Sequence, residues 1–173
     1  MTIIDTPRLR LRPWDDKDAP ELYELARDPR IGMLCGWKPY ECIDDAHSAL
    51  STFLAAPDSY AVTLASTGEI AGSIALRIDT GSPEATVADI GYWIGAPYWG
   101  NGYATEAGHA IIDRARELGV QMIVLKYFDG NDASRRVSEK LGFAWQSRDE
   151  DVEYPLIGKR LTVHRTELVL AGH

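Results

Sequence analysis

Tyr98-Trp99-Gly100-Asn101-Gly102-Tyr103-Ala104-Thr105-Glu106-Ala107 is the stretch on which the reading of this chain turns. Before it, Thr86 to Ile94 has the apolar, β-branched character of a strand. After it, Ala107, Ala110, Ile111, Ala115 and Leu118 recur at helical spacing from Thr105 to Leu118, and Gly119 ends the pattern. The quoted residues are therefore a strand-to-helix turn. The amides of Asn101, Gly102, Tyr103 and Ala104 are the first donors of that helix and have no acceptor within it. Gly100 and Gly102 lack Cβ atoms, so an anion can approach the backbone closely. Bare amides at the positive end of a helix make a cradle for linked phosphates without a lysine, each charge gaining on the order of 0.3–1 kcal/mol. The same Gly-x-Gly also suits a turn that merely starts a helix. A dinucleotide fingerprint needs a small residue where Thr105 stands and an acid about twenty residues on, and Asp129 comes too late. A Walker loop needs Gly-Lys-Ser/Thr, which is absent.

Upstream, Thr6-Pro7-Arg8-Leu9-Arg10-Leu11-Arg12-Pro13-Trp14 alternates Leu with Arg at period two, the pattern of a strand with one wet face, and its prolines bracket it. Asp18 is placed to cap a helix from Pro20 to Ala26, which Asp28-Pro29 stops. Gly32 to Tyr40 is expected as loop. Asp44 or Asp45 starts a second helix with Ala46, Leu50, Phe53 and Leu54 on one face. Tyr60–Ser66 and Ile70–Ile78 form a hairpin about Thr67-Gly68-Glu69. Downstream, Met122–Tyr127 is an apolar strand, Asp132–Leu141 a short helix, and Ala144 to Leu170 two strands about Gly158-Lys159. The order β-α-α-β-β-β-α-β-α-β-β mixes elements without strict alternation. That is α+β around a mixed sheet.

At 173 residues the chain is long enough for one domain, taken as 1–173. Its 45% hydrophobic and 25% charged residues are an ordinary globular balance. The net charge of −8 argues against nucleic acid as the main partner, since phosphate binding needs a basic stripe, and it permits an amine or basic peptide to be drawn in. No window approaches the roughly 20 apolar residues of a membrane helix, and the N-terminus lacks a basic segment followed by an apolar run. A cytoplasmic location with no membrane contact is expected. Cys35 and Cys42 are too few for a disulfide scaffold and have no His/Cys cluster for a metal, so they are expected as reduced thiols.

Three motifs now carry a resemblance. Trp99-Gly100-Asn101-Gly102-Tyr103-Ala104 is similar to the acetyl-CoA loop Gln/Arg-x-x-Gly-x-Gly/Ala of the GCN5-related N-acetyltransferase (GNAT) superfamily, with Trp99 in the Gln/Arg place. Trp99 and the following Thr105-Glu106-Ala107 resemble the branch of ribosomal-protein N-terminal alanine acetyltransferases, the RimJ/RimL type. Asn131-Asp132-Ala133-Ser134-Arg135-Arg136-Val137-Ser138-Glu139-Lys140-Leu141-Gly142-Phe143 matches that branch's second motif, and the opening Thr6 to Trp14 is typical of it. The matches span nearly the whole chain.

The resemblance implies a single GNAT-type domain with a mostly antiparallel sheet of six to seven strands, a splayed central pair and about four helices. It implies acetyl-CoA as co-substrate, no metal, and transfer to a primary amine by direct attack, with a protein N-terminus, a polyamine or a small-molecule amine as acceptor. Dimers are common in the family. By carry-over, Trp93, Ile94 and Gly95 form a strand edge for the pantetheine arm, and Trp99 through Thr105 hold the phosphates. Many members use a tyrosine as thiol acid where this chain has Ser138; in this branch an earlier serine, Ser134, serves instead. Its alternative role is a hydroxyl capping its own helix turn. Asn131 ties the helix start to the pantetheine amides or acts as an ordinary cap. Asp89 is the candidate base, Trp93 is equally suited to core packing, and Glu106 fits favourable contact with the helix dipole. Trp37 and Tyr40 are placed near the acceptor mouth. His109 and His164 have no partner nearby in sequence, and His173 is terminal. The absence of tyrosine at Ser138 leaves a rival: a non-catalytic acyl-CoA sensor.

Overall fold

The computed structural model describes residues 2–79 and 86–170; the expected domain limits 1 and 173, and His173, lie outside them. Eight strands are described: β1 (Ile4–Asp5), β2 (Leu9–Pro13), β3 (Ser59–Leu64), β4 (Ile70–Asp79), β5 (Val87–Ile94), β6 (Met122–Phe128), β7 (Ala144–Tyr154) and β8 (Lys159–Val169). Five α-helices join them: α1 (Ala19–Ala26), α2 (Pro29–Cys35), α3 (Ile43–Ser51), α4 (Tyr103–Glu117) and α5 (Asp132–Lys140). The strands form one sheet in the order β1-β2-β3-β4-β5-β6-β8-β7. Every adjacent pair is antiparallel except β5 and β6.

Both counts exceed expectation, for local reasons. The Thr6 amide bonds Leu9 O at 2.9 Å, a turn that makes Ile4–Asp5 a separate strand. Asp28-Pro29 does not only stop α1; it starts α2. Asp28 is extended as a residue before proline must be, its carboxylate accepts from the Arg30 amide at 2.9 Å, and Pro29 takes the first helical position. The expected loop 32–40 is therefore half helix, ended by Gly36 at φ 83°. Asp18 does not cap α1 with its side chain. It takes Arg12 at 2.7 and 2.9 Å and the Asp15 amide at 2.9 Å, and is buried. Phe53, expected on the apolar face of the second helix, is 63% exposed.

The sheet separates two apolar layers. Tyr60, Val62, Ile74, Leu76, Ala88 and Ile90 pack with α4 and α5, while Leu22, Ala26, Ala46 and Leu50 of α1 and α3 cluster with Trp37, Tyr40 and Trp93 on the other side. Period-two alternation thus sends Ala88, Ile90 and Tyr92 of β5 towards α4 and α5, and Asp89, Gly91 and Trp93 towards α1–α3.

The parallel pair splays. β5 and β6 pair from Val87↔Met122 to Ile90↔Leu125 and no further. Beyond that point β5 stays with β4 as far as Ile94↔Gly72, and β6 stays with β8 as far as Phe128↔Val163. Each strand follows its outer neighbour, so a wedge opens between them. No helix among the described residues is long and apolar enough to cross a membrane.

Candidate active site

The glycine loop sits at the mouth of this wedge. Gly100 and Gly102 both have a φ of 79°. The first bond of α4 is Glu106 N to Gly102 O at 3.0 Å, so the amides of Gly102, Tyr103, Ala104 and Thr105 have no acceptor in the helix. The unpaired set begins one residue later than the sequence indicates, because the helix starts at Tyr103. A Cβ on Gly100 would meet nothing within 4 Å, and one on Gly102 only Arg8 Nη2 at 3.7 Å. Packing does not require glycine at either position. The left-handed backbone does, and the amide face is left open to an incoming anion.

Side chains brace the loop from behind. Asn101 Nδ2 donates to Tyr98 O at 3.0 Å and Trp99 O at 3.2 Å, closing the turn on itself. Trp99 folds back so that its indole N–H donates to Ile94 O at 2.6 Å, and Arg30 lies 5.3 Å from its ring centre. Arg8 Nη1 donates to Asn101 O at 3.0 Å. Glu106 receives the Thr6 hydroxyl at 2.6 Å, the Arg8 amide at 2.9 Å and Arg8 Nε at 2.7 Å. Burial alone would raise the Glu106 pKa, but these bonds and the Arg8 charge outweigh it and hold the carboxyl below its ordinary value. The first strand hairpin and the loop are thus one braced unit, which a charge–dipole reading of Glu106 does not capture.

A cleft of about 930 Å³ runs from the loop through the wedge to the far face of the sheet. Asn131 caps α5, its Oδ1 accepting from the Ser134 amide at 3.1 Å. Ser134 Oγ lies 2.9 Å from the Tyr92 hydroxyl, and both line the cleft. Burial pushes the Tyr92 phenol up to about 12, so it is protonated and able to donate at neutral pH. Tyr92 is a cleft residue beside Ser134 that sequence reasoning missed. Its position on the α4/α5 face was legible from alternation, but its partner comes from a helix that only packing brings over it. Ser138 is in the core: its Oγ is 2.9 Å from Thr166 Oγ1, which donates to Leu125 O at 2.9 Å.

Of the expected strand edge, two groups are already engaged. Gly95 N donates to Ala71 O at 2.8 Å, and Ile94 O accepts the Trp99 indole. Cys35 approaches the same strand, with Sγ 4.0 Å from Tyr92 O, and burial raises its pKa to about 12. A thiol held neutral is a weak nucleophile.

Asp89 and Ser134 flank β5 rather than share a face. Asp89 is the register partner of Arg77 and accepts from its Nη2 at 2.5 Å. The Arg77 guanidinium lies over Gly91, where a Cβ would be 2.6 Å from Nη2. Trp93 meets Trp37 edge-on at 6.3 Å between ring centres, and Trp37 meets Tyr40 at 5.5 Å. Both expected mouth residues do line the cleft. Tyr154 has its phenol pKa raised by burial and then by the Asp89 charge. His164 has a partner across the sheet, Asp129, 2.8 Å from its Nε2. His109 is exposed on α4.

A family profile described as an acetyltransferase (GNAT) domain matches residues 8–144. YoaA of Bacillus subtilis (strain 168), an uncharacterized N-acetyltransferase, is 29% identical over 147 residues, covering 82% of each chain. Among solved structures, a GNAT-family acetyltransferase from Bacillus anthracis superposes with a TM-score of 0.85 at 20% identity, over 97% of this chain and 98% of that one. RimL, a ribosomal alpha-N-protein acetyltransferase in complex with coenzyme A, superposes equally well at 0.85 and 20% identity, over 98% of both chains.

Proposed function

This chain belongs to the GNAT acetyltransferase family, and we propose that it moves the acetyl group of acetyl-CoA onto a primary amine inside the cleft between β5 and β6. One observation carries the reading: a single cleft joins the unpaired amides at the start of α4, the β5 edge that has lost its β6 partner, and the Ser134 hydroxyl. The linked phosphates of coenzyme A fit the Gly102–Thr105 amides, where glycine geometry leaves the backbone open. The amide groups of the pantetheine arm fit the β5 edge past Ile90, where neighbouring strand groups have no β6 partner.

The nitrogen of the acceptor bonds to the thioester carbonyl carbon as the C–S bond breaks. An ammonium acceptor sheds two protons in all. One replaces the acetyl group on the departing sulfur, and the other goes to solvent. Ser134 Oγ–H points its proton at the sulfur while its oxygen accepts from Tyr92, which makes Tyr92 a positioning residue. Asp89, on the acceptor side of β5, takes the amine proton through water. The neutral Cys35 thiol supports direct attack over an acyl-enzyme. The lack of tyrosine at 138 favours a sensor without turnover; the Tyr92 phenol beside Ser134 supports turnover instead.

The test is release of free thiol from acetyl-CoA over a panel of amines, alongside calorimetry of acetyl-CoA binding. Thiol release with at least one amine is expected. Tight binding with no release from any acceptor would establish the sensor instead.

A further inference from the structure

On the α1–α3 side of the sheet, Ser59, Ala75 and Gly91 stand opposite one another on β3, β4 and β5. Small residues at Ser59 and Ala75 leave a short trough, about 5 Å long from one strand spacing. Its Gly91 end, at the wedge, is covered by the Arg77 guanidinium. Arg77 and Asp89 form the next row on one side, and Ser73 and Trp93 the next row on the other. Leu54, Phe53, Trp37 and Tyr40 stand around the same part of the cleft. The Ser59 hydroxyl lines the trough, is 1% exposed, and has no hydrogen-bond partner among the described residues. A buried hydroxyl without a partner is costly, so a group arriving to bond it is favoured. The described lining of the whole cleft carries Arg77, Lys126, Arg136 and Lys140 against one carboxylate, Asp89. That lining disfavours a polycation, although the chain as a whole is acidic.

We propose that the acceptor is a free α-amino acid with a flat side chain ending in a hydrogen-bonding group, a hydroxyphenyl side chain being the simplest case. The proposal rests on the acetyl-transfer reading and adds its substrate class. The α-carboxylate is held by Arg77, and the α-nitrogen lies beside Asp89 at the wedge. With Arg77 over Gly91, the ring crosses Ala75 against Trp93 and Trp37, and its distal polar group reaches Ser59 Oγ. The Arg77–Asp89 pair, two opposite charges on neighbouring strands, is complementary to an ammonium and a carboxylate on one carbon. In the reaction the α-nitrogen gains the acetyl group from the thioester, coenzyme A leaves as the thiol, and one proton is released.

The test is the thiol-release assay on the full chain with tyrosine, tyrosine methyl ester, tyramine, phenylalanine, an alanine-led tripeptide and spermidine. Tyrosine is expected to exceed the ester and tyramine at least tenfold in kcat/KM, and to exceed phenylalanine several-fold. Arg77→Gln is expected to erase the preference for tyrosine over tyramine, and Ser59→Ala the preference over phenylalanine, with the KM for acetyl-CoA unchanged in both. Equal or better use of tyramine, tripeptide or spermidine by the wild type overturns the amino-acid assignment and leaves acetyl transfer standing. Binding of acetyl-CoA with no thiol release from any acceptor overturns both. The wild-type panel decides the matter even if either variant fails to fold.

Discussion

The Tyr92 hydroxyl and Ser134 Oγ, 42 residues apart in sequence, lie 2.9 Å from each other across the wedge. The phenol stays protonated at neutral pH and is able to donate, an arrangement that frees the serine proton for the departing sulfur. Ser134→Ala is expected to lower kcat by about 10²-fold, the low end for a lost proton donor, with little change in the KM for acetyl-CoA. Tyr92→Phe is expected to lower kcat about tenfold, equivalent to roughly 1.4 kcal/mol. Because Tyr92 acts through Ser134, adding Tyr92→Phe to Ser134→Ala should cost nothing more. Additive losses in the double variant would show that the two do not act as a unit. Ser138→Ala is the control: it should lower stability by about 1 kcal/mol by removing the Ser138–Thr166 hydrogen bond, while Thr166 keeps Leu125 O and kcat holds.

Gly102 separates backbone geometry from ligand access. Its φ of 79° lies where any Cβ is strained. Gly102→Ala should therefore cost about 1–2 kcal/mol of stability, read as the urea midpoint. Gly102→Glu adds a negative charge beside the unpaired amides and should abolish acetyl-CoA binding in calorimetry. Retained affinity in the glutamate variant would move the phosphate site elsewhere.

Glu106 links stability to pH. Its carboxyl holds a proton less tightly in the folded chain than the ordinary value of 4.5 implies. A depressed carboxylate contributes stability that is fully present above its unfolded value and lost as pH falls through the folded one. The Tm gap between wild type and Glu106→Gln should therefore be largest at neutral pH, begin to close near pH 4.5 and vanish on further acidification. A gap that stays constant through strong acid would mean that the charge on Glu106 is not what braces the loop.

Ser59 makes the opposite kind of prediction. A buried hydroxyl without a partner weakens the fold, so Ser59→Ala should leave the Tm of the free protein unchanged or raise it by a few degrees. A clear drop in Tm would mean the hydroxyl is bonded in the free chain.

The patterns written in single segments carried far. The Gly-x-Gly turn, the hairpin about Gly68 and the α4 stripe of Ala107, Ile111 and Ala115 are local matters of φ, spacing and side-chain size, and the structure has each of them. Asp28-Pro29 misled because the same dipeptide ends one helix and starts another, and only the Asp28 bond to the Arg30 amide distinguishes the two. Ser138 and Ser134 are one helical turn apart, and nothing in their spacing says which faces Thr166 and which faces Tyr92.

By itself, then, the sequence determined the α+β class and the element order apart from β1 and α2, the cradle of backbone amides and the α5 cap at Asn131, since each depends on residues within a few positions of one another. Only the tertiary structure decided that Tyr92 meets Ser134, that Arg77 lies over Gly91 beside Asp89, and that Ser59 ends a trough without a partner among the described residues. Those relationships join side chains from different strands and helices. They depend on the register and splay of the sheet, which arise when the whole chain packs at once.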